Sequence, residues 1–119
     1  ASIQLLGYVD DYDLVRLYRS AVMLVYPSMY EGFGLPIIEG MACGCPVLTS
    51  NRGAMAEVAG DAAVLVDAED SDDIARGMLR LIEESDFRSS TIKRGIERGA
   101  HFSWASSAEA TLRTYLSVL

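Results

Sequence analysis

Glu31 and Glu39 stand in one glycine-rich stretch, Tyr26-Pro-Ser-Met-Tyr-Glu-Gly-Phe-Gly-Leu-Pro-Ile-Ile-Glu-Gly-Met-Ala-Cys-Gly-Cys-Pro46. An ionised carboxylate only accepts hydrogen bonds and can take two hydroxyl donors at once, so either acid suits a ligand that presents a diol. Two carboxylates can also serve as the acid and the nucleophile of glycoside cleavage. A purely structural reading is open as well: a solvated turn acid, and a first-turn acid favoured by a helix dipole. Gly32 and Gly34 permit a tight turn and close approach of backbone to a ligand.

The remaining polar candidates carry less chemistry. Cys43 and Cys45 flank Gly44, a spacing too short for a relaxed disulfide and without further metal ligands, so they read as two buried thiols. Asp10, Asp11 and Asp13 lack the glycine and the terminal glutamate of a calcium loop, and helix capping accounts for them. His101 beside Phe102 and Trp104 reads as a structural residue between two helices. Arg52 reads as a solvated turn arginine. No metal site is expected.

The elements that must hold the acids follow from patterning. Ala21 to Tyr26 is an uninterrupted apolar run, suited to a parallel strand covered on both faces, and Pro27 stops it. Pro36 fits the first turn of a helix from Leu35 to about Cys43, and Gly44 fits its end. The unpaired N–H groups of that helix start then face the carboxyl end of the strand, where an open parallel sheet binds ligands, anions in particular.

Before this unit, Ser2 to Val9 reads as a strand, and Asp11 to Ser20 as a helix capped by Asp10 or Asp11. After it come a short strand Pro46 to Thr49, a helical turn Ala54 to Val58 ended by Gly60, and a strand Ala62 to Val66. Asp70 or Ser71 caps a helix to about Glu84. Phe87 to Ala100 makes another, weakened by Gly95 and Gly99. Ser103 caps a last helix whose apolar face carries Trp104, Ala108, Leu112, Tyr115 and Leu116. Strands alternating with helices mean an α/β layer fold with a parallel sheet.

The 119 residues, half of them hydrophobic, suit one domain with a real core. The formal charge is −7 and the ten Lys and Arg residues are scattered, so no basic stripe exists for nucleic acid. No apolar run approaches the ~20 residues that span a bilayer, and the start has no signal-like core. A soluble, cytoplasmic protein is expected.

The stretch Pro27 to Val47 resembles the E-x7-E signature of family-4 retaining glycosyltransferases, with Glu31 and Glu39 as its acids. Gly7-Tyr-Val, Leu14, Leu17-Tyr18, the run Glu57 to Val66 and Phe102-Ser-Trp104 agree with it, so the resemblance covers nearly the whole chain. It implies the GT-B arrangement of two Rossmann-like domains, with residues 1–119 as the later part of the C-terminal, donor-binding one. The donor would be a nucleoside diphosphate sugar, used with retention and without a required metal or other cofactor. Glu31 would hold hydroxyls of the donor sugar, and Glu39 the ribose. Backbone N–H groups of Gly32, Phe33, Gly34 and Leu35 would meet the sugar and pyrophosphate. The ring of Phe33 reads as a core anchor.

The family pattern also marks departures. Gly40 stands where alanine is common, at a cost of up to ~1 kcal/mol in helix propensity, and Ala56 stands where proline is frequent. The family's diphosphate-neutralising arginine and lysine, from earlier in the domain, have no match here. In the usual strand order Ser2 to Val9 would be strand three and Ala21 to Tyr26 strand four, so the strands between them are missing. A fragment, inactive alone, is therefore expected. A carbohydrate or lipid-linked acceptor would bind the missing N-terminal domain, with room for peripheral membrane contact of the full enzyme. A noncatalytic sugar-nucleotide or partner-binding module, a self-pairing α/β domain and a nucleotide-sugar epimerase remain alternatives.

Overall fold

The computed structural model describes residues 2–119. Asp10 opens α1 (Asp11–Ser20), its carboxylate accepting the Asp13 N–H at 2.8 Å, so the cap is Asp10 rather than Asp11. The following apolar run yields a shorter strand than expected, β1 (Leu24–Tyr26), because the N–H of Ala21 still closes α1 on the Leu17 carbonyl. Next come α2 (Leu35–Ala42) and β2 (Val47–Ser50). Gly44, at φ 74°, ends α2: its N–H reaches the Met41 carbonyl, and that of Cys45 the Gly40 carbonyl. Then follow α3 (Gly53–Ala59), β3 (Val64–Val66), α4 (Ser71–Glu83), α5 (Ser85–Gly99) and α6 (Trp104–Ser117). Asp70 caps α4 by accepting from the N–H groups of Asp72 and Asp73.

The strands form a parallel sheet in the order β1-β2-β3, with Val25 beside Leu48 and Thr49 beside Leu65. Alternate residues of a strand face opposite ways, so the wholly buried β2 feeds two cores. Val47 packs with Ile37, Met41, Met55, Val58 and Ala59 from α2 and α3. Leu48 packs on the other side with Val66 and with Leu81 of α4. Close approach there depends on Gly77, where a Cβ would fall 2.7 Å from Leu48 Cδ1. Gly40 is likewise a packing position: a Cβ would lie 3.1 Å from Leu24 Cδ2 and 3.3 Å from Val47 Cγ2. Its weak helix propensity accompanies a close seat of α2 on β1 and β2.

Two expectations are corrected. Residues 2–9 form no strand. A strand exists through its ladder, and no described strand lies beside this segment; Ile3, Leu5 and Tyr8 are exposed and Gly7 turns the chain at φ 64°. Ser103 does cap α6, accepting the Ser106 N–H at 3.0 Å, but α6 buries no residue. Trp104, Ala108, Leu112, Tyr115 and Leu116 are exposed, because no described element covers the face they share.

Candidate functional site

The turn between β1 and α2 has the conformation its glycines allow. Gly34 is the N-cap of α2 at φ 83°, ψ 54°, a left-handed geometry that a residue with a Cβ adopts only with strain. No side chain caps this helix, and its first internal contact is the Ile37 N–H on the Gly34 carbonyl at 3.0 Å. Among the described residues, the N–H groups of Gly32, Phe33, Gly34 and Leu35 have no protein acceptor. Gly32, Phe33 and Leu35 are exposed. The turn therefore presents free donors and the positive end of a helix dipole beyond the carboxyl end of β1.

Each acid is held by a tyrosine. Tyr26, the last residue of β1, donates its hydroxyl to Glu31 Oε1 at 2.6 Å, and Ser28 Oγ donates to the same oxygen at 3.4 Å. The Tyr26 carbonyl in turn accepts from Thr49 Oγ1 at 2.8 Å, which ties the end of β1 to β2. Across the helices, Tyr18 of α1 donates to Glu39 Oε2 of α2 at 3.0 Å. Burial, then this bond to a carboxylate, raises the Tyr18 pKa well above the usual phenol value. Tyr26 is raised chiefly by its bond to Glu31 and then by burial. Both phenols thus stay protonated as donors, and among the described residues Glu31 Oε2 and Glu39 Oε1 accept no hydrogen bond.

Sequence patterning does not identify Tyr18, Tyr26 and Ser28 as partners of the acids. Tyr18 carries a usable signal, since a phenol on an apolar helix face must find an acceptor for its hydroxyl. Its partner, 21 residues away on another helix, emerges only with the packing of α1 on α2.

Phe33 is no core anchor. It is half exposed, and its ring meets Phe102 edge to face, centroids 5.9 Å apart at 78°. Both rings line an open groove of about 610 Å³, together with Leu35, Ile38, His101 and Trp104. His101 does lie between α5 and α6, but exposed, at the rim of this groove.

The other polar candidates lie apart. Arg52 is not merely solvated: its guanidinium donates to Glu69 at 3.0 Å and Asp67 at 3.1 Å. Cys45 is buried, which raises its pKa, while Cys43 is half-buried, and neither is in a disulfide. Among the described residues no His, Cys, Asp and Glu side chains gather as a metal site, and no helix is long and apolar enough to cross a membrane.

Comparison with known proteins gives a consistent result. The family model "Glycosyl transferases group 1" matches residues 1–98. The O-antigen chain mannosyltransferase B of Escherichia coli is 43% identical over 113 residues, 95% of this chain and 30% of that protein. A D-inositol 3-phosphate glycosyltransferase of Thermobifida fusca is 35% identical over 109 residues, 90% of this chain and 25% of that protein. Among solved structures, a sucrose-phosphate synthase from Thermosynechococcus elongatus superposes with a TM-score of 0.83 at 31% identity, over 95% of this chain and 29% of that one. The chain thus spans less than a third of these relatives' length.

Proposed function

Since the chain belongs to the glycosyl transferases of group 1, and its α/β fold is that of a partial Rossmann-like domain, we propose that it forms the donor-binding part of a retaining glycosyltransferase. The donor is a nucleoside diphosphate sugar. The observation that carries this reading is the pairing of two phenol-anchored carboxylates with a turn of unused N–H groups. Glu31, fixed through Oε1, offers Oε2 to hydroxyls of the donor sugar. Glu39, fixed through Oε2, offers Oε1 to the ribose. The N–H groups of Gly32, Phe33, Gly34 and Leu35, with the α2 dipole, stabilise the charge that develops on the departing diphosphate. This needs no metal from the chain's own residues. The acceptor, a carbohydrate or lipid-linked saccharide, is bound by protein beyond residues 1–119, where peripheral contact with a membrane would also be made.

The test is binding of uridine, guanosine and adenosine diphosphate sugars to the intact protein. The mannosyl transfer named for the Escherichia coli relative puts a mannose-bearing donor first. A hydrogen bond to a charged group contributes ~1.5–3 kcal/mol, so Glu39→Ala should weaken binding roughly tenfold or more. Glu31→Gln should depress turnover more than nucleotide affinity. Binding indifferent to Glu39→Ala, or none by a folded protein, would replace this reading with a noncatalytic module.

A further inference from the structure

Gly32 and Gly34 leave the donor turn little stiffness of its own, and no side chain caps α2. What fastens Phe33, between those glycines, is the ring of Phe102. Phe102 packs at the edge of the core around Ile37, Met41 and Val58, and its ring is also met by Arg98, in the last turn of α5, whose guanidinium carbon lies 5.2 Å from the ring centroid. Arg98 is itself fixed from a third direction. Its Nε donates to the Val58 carbonyl at 2.9 Å and its Nη2 to the Glu57 carbonyl at 2.8 Å, two of the carbonyls left open at the end of α3. Gly60 at φ 56°, where a Cβ would stand 3.5 Å from the guanidinium, lets the chain leave α3 around it.

We propose that Arg98 is a positioning residue for the donor site, setting the turn at Phe33 through the ring of Phe102. The proposal rests on the donor reading above. A guanidinium can give two in-plane hydrogen bonds while presenting its face to an aromatic ring; an ammonium cannot do both from one place. Displacing it removes the contact that sets the Phe102 ring on that core, and so loosens Phe33 and the turn that carries its N–H groups.

The experiment uses the intact protein with Arg98→Lys and Arg98→Ala, the lysine variant keeping a cation at the end of α3. Two quantities are read: the ring-proton shifts of Phe33 without ligand, and the affinity for whichever uridine, guanosine or adenosine diphosphate sugar binds the wild type most tightly. Both variants should move the Phe33 shifts toward those of an exposed phenylalanine. Loss of one aromatic edge contact and one cation–π contact should raise the donor Kd roughly three- to tenfold. In a Phe33→Ala background Arg98→Lys should change the Kd no further, whereas a role confined to closing α3 would show the same drop in Tm in both backgrounds and no change in Kd. Unchanged Phe33 shifts in a folded variant overturn the proposal, as does an unchanged Kd in a protein whose binding Glu39→Ala weakens. If the wild type binds no nucleotide sugar, the donor reading fails, and the linkage of Arg98 to Phe33 is still decided by the shifts.

Discussion

α5 and α6 follow one another, fifteen and fourteen residues long, and meet opposite fates. The buried residues of α5 are Thr91, Gly95 and Gly99, two of which have no side chain, whereas α6 exposes Trp104, Leu112, Tyr115 and Leu116. Hydrophobicity is thus a poor guide to which helix is packed. α5 comes close to α2 because its glycines let it: a Cβ on Gly99 would stand 3.3 Å from the Ala42 nitrogen, and one on Gly95 3.4 Å from Met41 Cγ. Burial follows from a fitting partner, and for α6 no described element supplies one.

The sharpest way to break this comparison is to put a side chain where α5 has none. Gly99→Leu should force α5 away from α2, since the obstruction is backbone that cannot rotate aside. Overpacking of this kind costs about 1–3 kcal/mol. Urea unfolding should show the lower midpoint with an unchanged slope, and Gly95→Leu should cost less, because the Met41 side chain can move. Equal costs, or none, would mean that the glycines do not set the distance.

α1 is the intermediate case, an exposed helix pinned by one buried residue, Tyr18. Tyr18→Phe keeps the ring but leaves Glu39 Oε2 without its donor, so a loss of about 1–2 kcal/mol is expected. The pH dependence has a definite sign. The raised pKa of folded Tyr18 means that above pH ~10 the unfolded chain gives up this proton while the folded one keeps it. This contribution is complete below pH ~10 and is lost as pH climbs from there toward the folded value. Stability measured against pH should therefore fall more steeply in the wild type than in Tyr18→Phe; parallel curves would show that the hydroxyl is neither buried nor held by Glu39 in solution.

These contrasts explain what could be read from the chain. The β1–turn–α2 unit was legible because glycine and proline leave little choice at Gly34, Pro36 and Gly44, and the alternation of strands and helices gave the parallel sheet. The seats of Gly95 and Gly99 were not, since propensity marks them as flaws while packing makes them contacts. Residues 2–9 failed as a strand for the reason that α6 failed as a core helix: an apolar pattern states a preference, and the neighbour that satisfies it is nowhere in the local sequence. Tyr18 with Glu39 and Tyr26 with Glu31 lay beyond patterning for the same cause, and the roles proposed for the acids were suggested by the family resemblance.

The smallest effect is the one expected in α6. Leu112→Ser with Tyr115→Ser removes apolar surface that is already in water, so no buried area is lost. Exposed positions change stability by no more than ~0.5 kcal/mol. Serine is a weaker helix former than leucine, so the small loss should appear as fraying of α6, read as reduced helical circular dichroism, with the main unfolding midpoint unmoved. A loss as large as that of Gly99→Leu would mean that α6 is covered in solution. The contrast with α5 would then be one of which partner each helix uses, small residues against α2 in one case and an aromatic face against some other surface in the other.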